Sequence, residues 1–333
     1  MKDDNNVTRG RGVTLGALGV LIFSFSLPAT RFAVDGLAPS VVAFGRAAVA
    51  GGIATAILVG MRAKRPSAAQ ARSLVIVALG VVIGFPLLST LALETTSVGH
   101  AAVINCALPA MTAICAVMRA GERPSPWFWA AALTGLATVV AFALIHGGGV
   151  GVDAGDAEML AAVVVCGLGY AEGAVLSRTL GGARTICWAL VVALPLTAPL
   201  AVIQTAFSDL SAVGLTAWLG LGYVVVFSQI LGFFAWYAGL ARGGVAKIGQ
   251  IQLGQPVLTL GWSALLLGEQ IGPADIAVAV LVLACVAVTQ TERRRSPRPG
   301  AAVMSSRNAR LRRAYRVVWV NRRSRLRRGR EAG

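Results

Sequence analysis

Long apolar stretches alternate with short polar breaks along most of this 333-residue chain. A helix needs roughly 20 mostly apolar residues to cross a bilayer. Runs of that kind lie near 13–32, 40–60, 73–92, 98–118, 127–145, 158–177, 185–206, 213–239, 245–267 and 273–290. The pattern predicts an all-α integral membrane protein of ten transmembrane helices. The connecting loops are too short to hide a soluble domain. The first run follows Lys2, Arg9 and Arg11 and has the outline of a signal peptide. Its place in an internal repeat argues that it stays.

Shifting the sequence against itself by 147 residues, without a gap, reveals that repeat. Pro109 falls on Pro256, Thr112 on Thr259, Gly121 on Gly268 and Glu122 on Glu269. The same offset pairs Arg31 with Arg178, Leu93 with Leu240, Val98 with Val245 and Pro126 with Pro273. Compositional bias alone does not hold one register from the first run to the last. Each half carries five runs, an odd number, so the second half enters the membrane from the opposite side. The expected architecture is two inverted five-helix repeats, as in many alternating-access carriers. The expected division is a tail over 1–12, repeats over 13–146 and 157–290, and a basic tail over 291–333.

The repeat resembles the EamA group of the drug/metabolite transporter superfamily. The residues that carry the likeness are "ALPAMTAICAVMRAGERPSP" and "GQPVLTLGWSALLLGEQIGP", each a proline inside the fourth helix of a half followed by Gly-Glu at the next loop. "FGRAAVA" around Arg46 and the "LSR" of Ser177 and Arg178 match as well. The resemblance covers about residues 13–290. It implies an EamA/DMT-like transporter fold with a central cavity lined mainly by helices 1, 3, 4, 6, 8 and 9. It also implies export of amino acids, other metabolites or drugs, with no substrate fixed.

Composition agrees with the span pattern. Apolar residues make up 56% of the chain and charged ones 13%, against about a quarter charged in soluble domains. The mean hydropathy is +0.73. The net charge of +16 is unevenly spread, with dense basic runs after Gln290. With the N-terminus inside the cell, the inner loops hold Arg62, Lys64, Arg65 and Arg72, then Arg119 and Arg123, Arg178 and Arg184, and Arg242 and Lys247. The outer loops hold Asp153, Asp156, Glu158, Asp209, Glu269 and Asp275, with Arg31 the main basic exception. This asymmetry predicts a multi-pass protein of the inner membrane with both termini cytoplasmic. The basic tail is read as a contact for anionic lipid headgroups and not for nucleic acid.

Polar side chains inside the spans are the candidate site. Gln252, Gln255, Pro256, Thr259 and Ser263 recur at spacings of three and four and share a helix face. Asn105, Pro109 and Thr112 make the corresponding face of the first half. Amides facing lipid have no compensation, so these face protein or a wet cavity. Pro109 and Pro256 each remove a backbone donor and break the helix. Matching broken helices in two halves point to a solute site; helix–helix glue is the competing reading, and it suits Gln250 better. Gln229, Gly232, Phe233 and Trp236 share a face of the eighth run, a mixture suited to an amphipathic organic solute. Glu172 is an acid within the sixth run, read as a proton-coupling or cation-binding group or else a paired structural charge. Arg46 pairs with a carboxylate, holds backbone carbonyls or attracts an anionic solute; the sequence leaves these open. Gly80 and Gly84 are spaced for close helix packing.

The function these readings support is secondary transport of a small organic metabolite, with export and proton coupling as options. A passive channel or an amphiphile translocator of the same fold is the alternative. An intramembrane enzyme lacks its parts: there is no GxSxG, HExxH or Walker motif, and the chain has two histidines. The five cysteines form no CxxC pair, so no metal site or cofactor is expected. Oligomeric state is left open.

Overall fold

The computed structural model describes residues 2–120, 125–146, 153–243 and 251–295. Glu122, Arg123, Val245, Lys247, Gln250 and the tail beyond Arg295 lie outside the described residues. All regular structure among the described residues is helical.

The chain opens with α1 (Lys2–Ser24) and α2 (Ser26–Val34), then α3 (Pro39–Gly60). α4 (Ala68–Val77) and α5 (Phe85–Thr95) are joined by a π-helical segment, Ala78–Gly84. α6 (Val98–Asn105) and α7 (Leu108–Ala120) follow, then α8 (Pro126–His146), α9 (Ala154–Leu180) and α10 (Gly182–Ala206). α11 (Leu215–Tyr223) and α12 (Phe233–Gly243) flank a second π-helical segment, Val224–Gly232. α13 (Gly254–Leu267) and α14 (Pro273–Arg295) complete the described chain.

Among the described residues, seven stretches are long and apolar enough to cross a membrane: Arg11–Val34, Pro39–Gly60, Ala68–Thr95, Val98–Arg119, Ala154–Leu180, Gly182–Ala206 and Leu215–Leu240. These match seven of the ten expected runs. Of the other three, 127–145 lies within α8 and 273–290 within α14, while 245–267 falls partly outside the described residues and otherwise on α13. α1 begins at Lys2, so the helix extends ahead of the first apolar span, which begins at Arg11.

Local chemistry sets the helix ends. Ser67 and Gln70 form a reciprocal capping box at the start of α4. Ser97 caps α6 through the N–H of His100, and Asp153 caps α9 through the N–H of Ala154. α13 stops at Gly268, whose φ of 66° is left-handed.

Two breaks fall where the prolines predict them. α6 ends at Asn105, and the turn at Cys106 and Ala107 tightens onto the carbonyls of Val103 and Ile104. Pro109, lacking an N–H, cannot serve the carbonyl of Asn105 one turn back. Likewise Gln252 and Leu253 form a turn before α13, and Pro256 cannot serve the carbonyl of Gln252. The two π-helical segments carry no such forewarning in the span pattern. Pro86, just beyond the first, accounts for part of it: it leaves Val82 without an α-helical donor.

Helices pack in matched pairs: α3 along α10, α8 along α14, α1 along α12, and α5 and α7 along α9. Lipid tails and core side chains are equally apolar, so close backbone approach supplies much of the association. Gly80 shows this directly. A Cβ built there would run into the carbonyl of Val165 and meet Gly169 Cα at 3.1 Å. One apolar core, including Phe23, Ala47, Leu93, Ile104, Met159, Leu190 and Tyr237, joins elements from both halves of the chain. Large apolar side chains such as Val59, Val202 and Leu265 lie on the outside, where a bilayer covers them.

Candidate functional site

A narrow cavity of about 40 Å³ sits where the helices are interrupted, enough for a small number of waters. Ser26 and Thr30 of α2, Asn105 at the end of α6, Gln255 of α13, and Ser228 and Gln229 of the second π-helical segment line it. Arg46 enters from α3. Its apolar walls include Phe23, Val81, Phe85, Tyr170 and Phe233. The lining comes from α1, α2, the first π-helical segment, α5, α6, α7, α9, the second π-helical segment, α12 and α13, with Arg46 added from α3.

The interruptions place these groups. A regular α-helix turns its backbone donors and acceptors inward, whereas a break or a π-bulge frees a carbonyl and displaces a side chain. Asn105 and Gln255 stand beside the two proline breaks, and Ser228 and Gln229 lie inside a π-helical segment. Arg46 is the centre of the polar cluster. It is 4% exposed. Its Nη2 donates to Gln229 Oε1 at 2.9 Å and to Ser228 Oγ at 3.3 Å. Ser26 Oγ donates to Ser228 Oγ at 2.8 Å. Among the described residues, four buried polar atoms of this lining find no hydrogen-bond partner: Arg46 Nε, Gln229 Nε2, Asn105 Oδ1 and Gln255 Oε1. Buried polar groups are nearly always satisfied, so these four are the open hydrogen-bonding capacity of the lining.

Of the candidate site residues, Arg46, Asn105, Gln229 and Gln255 are brought together around this cavity. The remaining predicted site residues are not among the lining. Gln252 is buried in the turn before α13. Thr112 turns back on its own helix and donates to the carbonyl of Leu108 at 2.8 Å. Thr259 donates to the carbonyl of Ser24 at 2.8 Å and so fixes α13 to α1. Trp236 stands behind the wall, edge-on to Phe23 with ring centroids 6.4 Å apart. Sharing a helix face with a lining residue is not enough: Thr259 stands one turn beyond Gln255 on α13 and is taken up by the carbonyl of Ser24.

Glu172 also lies away from the cavity, tied to a cation. Arg119 Nε stands 2.7 Å from its Oε2 and Arg119 Nη2 stands 3.2 Å from its Oε1, while Ser73 donates to Oε1 at 2.5 Å. This cluster joins α4, the end of α7 and α9.

At the other end of the Val98–Arg119 span sits a second polar cluster. Glu269 takes the N–H of Val98 on Oε1 at 2.8 Å and the N–H of Gly99 on Oε2 at 2.6 Å. A carboxylate at a helix amino end meets unpaired donors and the positive end of the dipole. Beside it, Arg31 pairs with Asp35 at 3.0 Å and donates to the carbonyl of Leu93 at 2.7 Å. His100 stands 2.9 Å from Asp156 and stacks on Phe142. A wider cavity of about 490 Å³, bordered by Arg31, Asp35, Glu94 and Glu269 among others, lies at this end.

Sequence reasoning missed Ser26, Thr30, Ser89, Tyr170 and Ser228 as lining residues. Ser228 was within reach, since it adjoins Gln229 in the same apolar run. Tyr170 carried no signal of its own, because an aromatic residue in a span is most often packing.

Comparison with known proteins follows the same lines. The profile of the EamA-like transporter family matches the chain twice, over residues 10–144 and 154–291. The uncharacterized transporter YdeK of Bacillus subtilis (strain 168) is 50% identical over 275 residues, covering 83% of this chain and 95% of its own. A solved crystal structure of a protein with 20% identity superposes with a TM-score of 0.58, covering 84% of this chain and 97% of its own; that likeness speaks to fold. The chain belongs to the EamA-like transporter family. It is a multi-pass membrane transporter and not an enzyme.

Proposed function

We propose that this EamA-like transporter is a secondary carrier that moves a small organic solute across the inner membrane by alternating access. Its frame is ten helices in two inverted five-helix repeats, with both termini cytoplasmic, and its working direction is export. The observation that carries this reading is a polar cavity in mid-bundle with a separate polar closure at each end of one span. Glu269 binds the Val98 end, and Glu172 binds Arg119 at the other.

Three features support the repeat. The family profile matches once in each half. The proline breaks stand at Cys106–Ala107 and at Gln252–Leu253, one residue from the 147 register. The π-helical segments, Ala78–Gly84 and Val224–Gly232, overlap under the same shift. Two such halves in opposite orientation can exchange shapes, opening the cavity first at one end and then at the other.

In this cycle the solute meets Arg46, Asn105, Gln229 and Gln255. The Arg119–Glu172–Ser73 cluster closes the cytoplasmic mouth and the Glu269 cap closes the external one. Breaking either exchanges protein contacts for water contacts, so neither state need be strongly favoured. Glu172 thereby becomes a closure group. Coupling to protons, if the carrier uses it, passes through the opening of that pair. The basic run beyond Gln290 meets anionic headgroups on the cytoplasmic side.

Full-length protein in sealed vesicles tests the reading. A carrier shows uptake of labelled solute that accelerates when unlabelled solute is loaded on the far side. Uptake indifferent to that loading identifies a channel and overturns alternating access.

A further inference from the structure

Building on the proposal that this cavity is the solute's path, we infer that the solute carries an anionic group held by Arg46: a carboxylate monoanion on a small apolar body. Arg46 is buried, and among the described residues no acid stands beside it. Its two hydrogen-bond partners, Gln229 and Ser228, are neutral. Among the described residues, no Asp or Glu lines the cavity.

Four acids elsewhere in the bundle are already engaged. Glu172 belongs to Arg119, Asp156 to His100, Asp35 to Arg31, and Glu269 to the N–H groups of Val98 and Gly99. A guanidinium in a low-dielectric interior is strongly disfavoured unless it is paired. Here one positive charge stands in a cavity with one of its donors, Nε–H, unused. A single added negative charge balances it, which favours a monoanion over a doubly charged phosphate.

The geometry fits a carboxylate. Arg presents a planar fork of donors that matches a carboxylate edge. Gln229, by accepting from Nη2, fixes the fork, and its own Nε2 remains unpaired in the same lining. Phe23, Phe233 and Tyr170 form the wall around it, with ring centroids 4.9 Å and 6.0 Å apart in successive pairs. Those rings suit an apolar body. The cavity is small in this conformation, so the solute enters when the bundle opens.

Matched probes that differ only in charge give the test: benzoate, benzamide and benzylamine, and butyrate, butyramide and butylamine. Binding to the purified full-length protein is followed by tryptophan fluorescence or calorimetry at neutral pH. The anion of at least one triad is expected to bind ten-fold or more tightly than its amide and amine. Arg46→Gln should erase that preference. Should that variant fold poorly, Gln229→Glu is the second arm: it places a carboxylate beside Arg46, neutralises the charge from within and should abolish anion binding while the fold is kept. Anions binding no better than their amides, or binding unchanged in Gln229→Glu, overturns the inference. The two proposals fail separately. Arg46-dependent anion binding without flux in vesicles upholds the anion site and counts against transport. Flux of benzoate or butyrate at wild-type rates in Gln229→Glu overturns the anion site and leaves transport standing.

Discussion

Arg119 Nε stands 2.7 Å from Glu172 Oε2, and the two residues are 53 positions apart in the chain. The acid is 2% exposed and the base 56% exposed, so the pair straddles the edge of the bundle. Its two members therefore do not contribute alike.

Removing the base is the more damaging change. Arg119→Gln leaves a buried carboxylate with Ser73 alone, a charge out of water without its counter-ion. Glu172→Gln leaves a cation that already reaches solvent and costs much less. Thermal unfolding in detergent should rank Arg119→Gln well below Glu172→Gln. The reverse ranking contradicts the buried placement of the acid.

The cap on α6 makes a second prediction. Glu269→Ala withdraws an acceptor from the N–H groups of Val98 and Gly99, at a cost of about 1–2 kcal/mol. Because the carboxylate joins α6 to the segment after α13, its loss should also open that mouth. A cysteine at Ser97 should label faster in Glu269→Ala than in the parent. Equal labelling would show that the cap does not close the mouth.

The cavity and its surroundings should respond differently to mutation. Asn105→Leu and Gln255→Leu remove polar groups from the lining and should lower solute flux ten-fold or more. Thr112→Val, on the same predicted helix face but bonded to the carbonyl of Leu108, should keep flux within about two-fold. Flux measurements on the three variants check this, and equal losses would mean that the cavity is not the solute's path.

Close backbone packing gives the fourth. Gly80→Ala forces a methyl group against the carbonyl of Val165 and should destabilise the fold by about 2 kcal/mol or more. Gly52→Ala has nothing within 4 Å of the added methyl and should unfold within a degree of the parent. Matching losses at both sites would rule out the contact with α9.

Much of this arrangement could be read from the sequence because lipid simplifies the rules. Every buried backbone group must be satisfied within its own helix, so the runs of apolar residues predict helices, and Pro109 and Pro256 mark their breaks. Polar residues beside those breaks, Asn105 and Gln255, were identifiable for the same reason. What pairing does in three dimensions was not. Glu172 as an isolated acid in an apolar run looks like a coupling group; only the approach of α7 to α9 supplies Arg119. Trp236 and Thr259 lie on the same regular helices as the lining residues Phe233 and Gln255, and only the neighbours they meet, Phe23 and the carbonyl of Ser24, take them out of the lining. The lack of an acid near Arg46 is likewise a property of the packed bundle.

The central claim is that one half of the chain stands inverted relative to the other, with a closure at each face of the membrane. Single cysteines at Arg119 and Glu269, labelled in intact cells by a reagent that cannot cross the membrane, test it most directly. The account predicts that the Glu269 position reacts from outside while the Arg119 position reacts only after the cells are opened. Reaction of both positions from the same side would contradict it.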